Sequence, residues 1–210
     1  MGSNISSVAA TAADRVVGSV LPKSFEIVMI GLDNAGKTSL VNRFKRRELP
    51  SGVLPATTTT IGSTIETIPF GRHSVTIREL GGADKIRPLW RRFFWNGHGF
   101  IFAVDASAPE RFAEAKEELG LMWAEISEEH PILILANRMD LAGAAELHRI
   151  SEALGVEELR VAKRRTVDIK AISAMTGEGT DEVLEWFVEN ISHQLIVEHN
   201  EAKTHVIQAW

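Results

Sequence analysis

The sequence predicts an α/β fold, in which a mostly parallel six-stranded β-sheet with one antiparallel strand has helices on both faces. Short apolar runs alternate with longer helical patterns along most of the chain, which is the order found in parallel sheets connected by helices. Two alternating runs at 63–70 and 74–80 are separated only by Gly71 to His73, and they predict a β-hairpin that supplies the antiparallel strand. A glycine-bounded loop at 31–38 joins the first strand to the first helix.

That loop has the sequence GLDNAGKT, follows a predicted strand at 25–30 and opens a helix. In this context a G-x-x-x-x-G-K-[ST] match indicates a P-loop NTPase fold, because the backbone N–H groups of such a loop cradle phosphate oxygens. We expect Lys37 to reach the terminal phosphates and the Thr38 hydroxyl to bind Mg²⁺. The alternative is a plain glycine turn that leaves Lys37 in solvent. The predicted phosphate-binding residues are Asp33, Asn34, Ala35, Gly36, Lys37, Thr38 and Ser39.

The remaining elements follow the same alternation. Helices are predicted at about 37–48, 85–95, 109–129, 144–154 and 180–192, and strands at 100–105, 131–136 and 166–172. We attribute the basic residues near the end of the first helix, Arg43 among them, to the helix dipole. Since ligands of parallel sheets bind beyond the carboxyl ends of the strands, we expect residues 31–38, 79–82, 137–140 and 173–175 to converge on one site.

The composition excludes several classes of protein. A chain of 210 residues is long enough for one domain with a full core. Its formal net charge of −5 argues against a nucleic-acid partner. The absence of cysteine excludes disulfides and fits a reducing compartment. No apolar run approaches the ~18 residues of a membrane span, and the N-terminus does not have the pattern of a secretory signal. We therefore expect a cytoplasmic location.

Residues 137–140, Asn-Arg-Met-Asp, indicate which base is bound. The Asp140 carboxylate accepts hydrogen bonds and can take two of them from an N–H and an exocyclic amine, a pair that guanine offers and adenine lacks. Asn137 would brace the loops, the stem of Arg138 could lie against the base, and the N–H of Ala174 is the natural donor to the base carbonyl. The alternative is that these residues only make turns. The predicted base-binding residues are Asn137, Arg138, Asp140, Ser173, Ala174 and Met175.

Together these motifs resemble those of the Arf and Arf-like family of Ras-like small GTPases, and the resemblance extends over roughly residues 16–192. The segments that carry it are GLDNAGKT at 31–38, TIGSTIET at 60–67, GGADKIRPLW at 81–90 and NRMD at 137–140. The resemblance implies the small G-protein form of the fold and a switch that binds GTP or GDP with Mg²⁺. It also implies an exchange factor, an activating protein and effector proteins as partners, and recruitment of effectors at a membrane.

The resemblance also assigns roles to single residues. Thr60 would be the switch threonine that meets Mg²⁺ and the γ-phosphate, and Gly82 would donate its N–H to that phosphate. The hairpin at about 63–80 would slide when GTP replaces GDP and expel an N-terminal helix at 5–21. Membrane attachment and nucleotide state would then be one coupled equilibrium.

Three positions depart from the family pattern. Ala83 stands where the family has the glutamine that orients the attacking water, so no catalytic residue is assigned and intrinsic GTP hydrolysis is expected to be very slow. The alternative is that another group makes the water contact. Glu79 replaces the aspartate that binds Mg²⁺ through its outer shell, and its longer side chain is expected to change metal geometry or affinity. Arg138 replaces the usual lysine.

The predicted effector surface differs as well. The family presents three hydrophobic side chains to its partners, and here those positions are Ser63, Arg78 and Phe93. Burying Arg78 without an acidic partner would be costly, so we expect a different set of partners. An alternative to a hydrolysing switch is a scaffold that is permanently bound to GTP.

The two ends of the chain lie outside the predicted GTPase domain at 25–192. The N-terminal segment 1–24 carries a weak amphipathic pattern and begins Met-Gly-Ser-Asn-Ile-Ser, which matches the signature for myristoylation of Gly2. One acyl chain gives marginal binding, so the apolar helix face would add the second signal for reversible membrane association. The alternative for this segment is a frayed tail or an expression scar. No role is assigned to the tail at 193–210.

Overall fold

The structure is a computed structural model that describes residues 24–46, 52, 54, 55, 57, 58, 60, 62–162 and 166–191. Six strands form one sheet: β1 (Ser24–Gly31), β2 (Ser63–Phe70), β3 (His73–Leu80), β4 (Gly99–Asp105), β5 (Ile132–Asn137) and β6 (Val167–Ala171). Their order across the sheet is β2-β3-β1-β4-β5-β6. Strand β2 is antiparallel to β3, and each of the other neighbouring pairs is parallel. The predicted fold class is confirmed.

Helices cover both faces of this sheet. They are α1 (Lys37–Lys45), α2 (Phe112–Glu125), α3 (Leu147–Leu154), α4 (Val156–Ala162) and α5, whose described part is 181–191. Leu40 and Phe44 of α1 and Phe187 of α5 pack into one apolar cluster. Leu119 of α2 and Ile150 of α3 belong to a second cluster. None of the described helices is long and apolar enough to span a membrane.

The central strands β4 and β5 are buried, as their continuous apolar runs in the sequence predicted. All six residues of β5 are buried, as are six of the seven in β4, because helices pack on both faces of these strands. Hairpin strand β2 has mostly exposed side chains, as expected for a strand at the edge of the sheet. Because β1, β4 and β5 are parallel, their carboxyl ends lie at the same edge of the sheet, and the predicted motifs lie at that edge.

Several helices differ from their predicted bounds. The segment predicted as a helix at 85–95 forms a 3₁₀ helix, Arg87–Phe93, in which the indole of Trp90 donates a hydrogen bond back to the carbonyl of Gly81 (2.9 Å). The helix predicted at 109–129 begins as a 3₁₀ turn and ends at Glu125, because Ile126 is extended. Helix α4 was not predicted. Helix α1 ends at Lys45, and residues 47–50 lie outside the described part.

Candidate functional site

The phosphate loop lies between β1 and α1, as predicted. Gly36 has a left-handed backbone (φ 80°), and a Cβ there would lie 2.3 Å from Nδ2 of Asn137, so glycine is required for this close approach. The buried ammonium of Lys37 donates hydrogen bonds to the carbonyls of Gly31 (2.8 Å) and Leu32 (2.7 Å). Burial lowers the pKa of Lys37 to about 8, although the nearby carboxylates of Glu79 and Asp33 oppose this change.

A cavity of about 420 Å³ opens beside this loop at the carboxyl edge of the sheet. Ten of its lining residues are predicted ligands of phosphate, base or metal: Asp33, Asn34, Gly36, Lys37, Thr38, Ser39, Thr60, Glu79, Gly82 and Arg138. Thr57 and Thr58 also line it and were not predicted. Ala35 lies behind the cavity wall, where it is buried and its carbonyl accepts a hydrogen bond from Asn137 (3.0 Å).

A second cavity of about 300 Å³ shares Gly36, Ser39 and Arg138 with the first, so the two are adjacent. Its other lining residues are Leu54, Asn137, Asp140, Leu141, Ala174 and Met175. The carboxylate of Asp140 is exposed at this end. Ser173 is fully buried and lies outside the lining, where its hydroxyl accepts a hydrogen bond from the N–H of Thr176 (3.0 Å). The structure therefore gives Ser173 the role of shaping the loop.

Asn137 joins the two loops that form this second cavity. Its Nδ2 donates to the carbonyl of Ala35 in the phosphate loop, and its Oδ1 accepts the N–H of Ala174 (3.0 Å). The bracing role predicted for Asn137 is therefore the one that its side chain has. The N–H of Ala174 already has an acceptor, so a base carbonyl could only share it with Asn137.

Arg43 supports the backbone of residues 174 and 175 beside the second cavity, a role that was not predicted from the sequence. It is 2% exposed, although it lies on the phosphate-binding helix α1 and carries a charge. Its guanidinium donates to the carbonyls of Ala174 (2.8 Å) and Met175 (2.6 Å). Arg43 follows Leu40 by three residues and precedes Phe44, so its position on the apolar side of the helix was the signal for a buried partner.

Arg138 is fixed at the boundary of the two cavities. Its backbone is left-handed (φ 67°), and its guanidinium forms an ion pair with Asp105 at the end of β4 (2.5 Å). The charged head is therefore held on the sheet side. Arg138 lines both cavities, and its aliphatic stem is the apolar part that a base could contact.

Three oxygen atoms meet at the switch side of the first cavity. The Thr38 hydroxyl lies 2.5 Å from Oε1 of Glu79, the Thr60 hydroxyl lies 2.9 Å from the same oxygen, and the two hydroxyls are 3.0 Å apart. Glu79 is 2% exposed, and its second oxygen accepts a hydrogen bond from Thr64 (3.3 Å). The three residues predicted as metal ligands are therefore brought together.

Gly82 packs directly against the phosphate loop. Its carbonyl accepts the N–H of Asp33 (3.2 Å), and a Cβ at Gly82 would lie 2.4 Å from backbone atoms of residues 31–33. Ala83 is half-buried and does not line the first cavity. Its carbonyl caps the 3₁₀ helix by accepting the N–H groups of Ile86 (2.7 Å) and Arg87 (3.2 Å).

Two arginines hold the outer side of the phosphate loop. Arg111 donates to the carbonyl of Asp33 and to its carboxylate, both at 2.8 Å, and Arg87 donates to the carbonyl of Gly82 (2.8 Å). Partial burial alone would raise the pKa of Asp33, but the hydrogen bond and charge of Arg111, aided by Arg87, lower it overall. Arg111 was not predicted, and Glu114 joins the network by binding both arginines.

Two of the predicted effector positions, Ser63 and Arg78, lie in the hairpin strands β2 and β3, and the third, Phe93, ends the 3₁₀ helix. Arg78 has an acidic partner, since its guanidinium forms an ion pair with Glu26 (2.5 Å), and the guanidinium also lies 5.3 Å from the ring centre of Phe93. The expected cost of burying an unpaired Arg78 therefore does not arise. Ser63 is exposed, and Phe93 is half-buried beneath the guanidinium. Gly2 and the segment 5–21 lie outside the described residues.

Comparisons with known proteins agree with this geometry. The family model described as the ADP-ribosylation factor family matches residues 14–191. A solved structure of the Arl6 BBS3 small GTPase from Trypanosoma brucei, with the bound nucleotide analogue GppNp, is 32% identical and covers 81% of this chain and 99% of its own, with a TM-score of 0.72. The structure of the mammalian SRP receptor covers 79% of this chain and 99% of its own with a TM-score of 0.67, and at 21% identity this likeness concerns the fold alone.

Proposed function

The chain belongs to the ADP-ribosylation factor family, and from that membership we propose that it works as a guanine-nucleotide switch of the Arf-like type. In this proposal GTP and GDP alternate in the two adjacent cavities, and the bound nucleotide decides which effector proteins are recruited. An exchange factor would load the nucleotide. GTPases of this family bind guanine nucleotide and typically Mg²⁺ with it.

The observation that carries the proposal is the junction of the two cavities at Gly36, Ser39 and Arg138. Phosphates would lie against the loop at 31–38, near the charged end of Lys37 and the first N–H groups of α1. The base would lie in the second cavity, where the carboxylate of Asp140 is available to an N–H and an exocyclic amine. In this proposal the phosphate site and the base site are therefore neighbours that share three lining residues.

Thr38, Thr60 and Glu79 suit a Mg²⁺ ion, because they offer hard oxygen atoms within 3.0 Å of one another. Among the described residues there is no group of three or more His, Cys, Asp or Glu side chains that could hold a metal. The ion would therefore depend on nucleotide phosphates for its remaining ligands. When bound, it would neutralise charge on the β- and γ-phosphates.

We infer that hydrolysis is slow or depends on an activating protein. The methyl group of Ala83 cannot hold the attacking water, and the side chain does not line the cavity. The same observation favours a second candidate, a scaffold that stays bound to GTP and never hydrolyses it. Both candidates use the same binding site and differ only in the fate of the γ-phosphate.

The partners are proposed to differ from those that dock on an apolar surface. Arg78 is paired with Glu26 and covers Phe93, so an incoming side chain meets a guanidinium where the family has an apolar group. Association with a membrane is proposed through acylated Gly2 and the apolar face of 5–21. Substituting Gly2→Ala should move the protein from the membrane to the supernatant fraction, and an unchanged distribution would refute acylation.

The nucleotide that copurifies with the protein tests the proposal most simply. Mass spectrometry of the denatured protein should identify GDP or GTP. Preparations stripped of nucleotide should then bind GTP in the presence of Mg²⁺ far more tightly than ATP. A protein that carries no guanine nucleotide and binds none at micromolar concentrations would rule out both candidates.

Single-turnover hydrolysis separates the switch from the scaffold. The protein is loaded with γ-labelled GTP and followed with and without cell extract as a source of activator. The switch predicts that extract accelerates phosphate release, whereas the scaffold predicts no release under either condition. Lys37→Met, which should not retain GTP, controls for hydrolysis by contaminants.

A further inference from the structure

The carboxylate of Glu79 occupies an unusual position for a residue whose aspartate counterpart would bind Mg²⁺ through a water. Its Oε1 contacts the hydroxyls of Thr38 (2.5 Å) and Thr60 (2.9 Å) directly. In an octahedral Mg²⁺ site with ligands at 2.0–2.1 Å, oxygens on one face are about 2.9 Å apart. The observed triangle of 2.5, 2.9 and 3.0 Å is therefore close to one face of such a site.

We propose that Glu79 binds Mg²⁺ directly, as an inner-sphere ligand next to Thr38 and Thr60, in place of a water molecule. This inference rests on the proposed function, since the remaining ligands would come from nucleotide phosphates and water. It changes the expectation that Glu79 acts in the outer shell.

The length of the Glu79 side chain explains why it would bind the ion directly where an aspartate would bind it through a water. An aspartate at position 79 would withdraw the carboxylate by up to ~1.5 Å, the length of one carbon–carbon bond. That gap would leave the carboxylate outside the triangle and make room for a water. The extra methylene of Glu79 closes the gap, and Thr64 steadies the carboxylate by donating to its other oxygen (3.3 Å).

The charge balance points the same way. Glu79 is 2% exposed, and the hydrogen bonds that it accepts come from the neutral hydroxyls of Thr38, Thr60 and Thr64. Among the described residues, no arginine or lysine forms an ion pair with it within 4.0 Å, although the charge of Lys37 interacts with it from farther away. A buried carboxylate without a cation in direct contact is costly, and a divalent cation on the Oε1 side would supply that contact.

The number of water ligands on the metal tests the proposal. Full-length protein is loaded with a non-hydrolysable GTP analogue and Mn²⁺, and electron paramagnetic resonance in ¹⁷O-labelled water counts the waters bound to the ion. We expect one fewer water in the wild-type protein than in Glu79→Asp. The control Glu66→Asp shortens a carboxylate that pairs with Lys45 on the surface (2.8 Å), and it should give the wild-type count.

Nucleotide content is measured on the same samples, which separates failure of the inference from failure of the proposed function. Equal water counts in the wild type and Glu79→Asp, with nucleotide and Mn²⁺ bound in both, would overturn the direct ligand while the nucleotide site stands. Absence of both nucleotide and Mn²⁺ from the wild-type protein would overturn the proposed function and this inference together.

Discussion

The two ends of the nucleotide cavity are built in different ways. At the base end, Asn137 and Arg43 join three backbone segments through hydrogen bonds. Apart from Arg138, the motif residues at this end match the family pattern. At the phosphate end, Ala83 and Glu79 depart from the family pattern, and Arg87 and Arg111 hold the loop. The proposed function therefore assigns selection of the base and hydrolysis to different residues, whereas Lys37 and Thr38 at the phosphate end take part in nucleotide binding as well.

The two ends also differ in how their polar groups are held. The base end consists of buried, mutually satisfied polar groups, so a substitution there removes structural support as well as ligand contacts. At the phosphate end, Gly82 is also fixed by close packing, since a Cβ there would lie 2.4 Å from backbone atoms, whereas the half-buried Ala83 does not line the cavity. Substitutions at Arg43 and at Ala83 should consequently affect different measurements, stability in the first case and hydrolysis in the second.

The largest effect is expected at the base end, from Arg43→Met. This change keeps a long side chain but leaves the buried carbonyl of Ala174 without its donor, whereas the carbonyl of Met175 still accepts the N–H of Gly52 (2.9 Å). The lost partner of Ala174 should cost about 1–3 kcal/mol, so we expect the free energy of unfolding to fall by that amount in urea titrations. The control Arg46→Met alters an exposed arginine and should change it by less than about 0.5 kcal/mol. Equal effects of the two variants would contradict the bracing role.

At the phosphate end, Ala83→Gln should alter hydrolysis and leave binding intact. If a water-positioning group is all that is missing, single-turnover hydrolysis should rise by about 100-fold, which is the typical effect of correcting a misplaced nucleophile. Ala83→Met has a similar length but cannot orient water, and it should hydrolyse GTP at the wild-type rate. Unchanged hydrolysis in Ala83→Gln would assign the defect to Glu79 or to the position of the switch.

The pH dependence of binding should be governed by Lys37. Burial lowers the pKa of free Lys37 to about 8, and bound phosphates would raise it again, so binding above pH 8 requires proton uptake. Affinity for GTP should therefore fall about tenfold between pH 7 and pH 9. Calorimetric titration of Lys37→Arg, whose charge persists over this range, should show a smaller decline. Parallel pH profiles would mean that Lys37 stays charged throughout.

The smallest effect is expected outside the cavity, at the ion pair of Glu26 and Arg78. Both side chains are 19% exposed, so Glu26→Gln should lower the free energy of unfolding by less than about 1 kcal/mol. Affinity for GTP should not change, because neither residue lines the cavity. A large loss of affinity for GTP would show that the hairpin surface is coupled to the nucleotide site.

Local patterns made much of this molecule predictable. Alternation of apolar runs and helices predicted the sheet, and the short turn at 71–73 predicted its antiparallel edge. The phosphate loop and the motif at 137–140 placed most of the cavity lining, because spacing within a short motif is fixed by the strand and helix on either side.

Contacts between distant segments were not predictable in the same way. Arg43 reaches residues more than 130 positions away, and Arg111 reaches Asp33 across 78 positions. Neither pairing leaves a periodic trace in the sequence. The hydrogen bond from Ala174 to Asn137 was missed for a similar reason, since it depends on how two loops dock and not on either loop alone.

Base selectivity of Asp140→Asn is the most direct test of the central claim that the base end selects guanosine phosphates independently of the hydrolytic end. An amide offers a donor where the carboxylate offers only acceptors, so the variant should lose affinity for GTP and gain affinity for xanthosine triphosphate, whose base carries a carbonyl in place of the amine. Wild-type protein should bind GTP more tightly than xanthosine triphosphate. Both proteins should hydrolyse the nucleotide that they bind at the same single-turnover rate. An unchanged preference in Asp140→Asn would contradict this assignment of the base site.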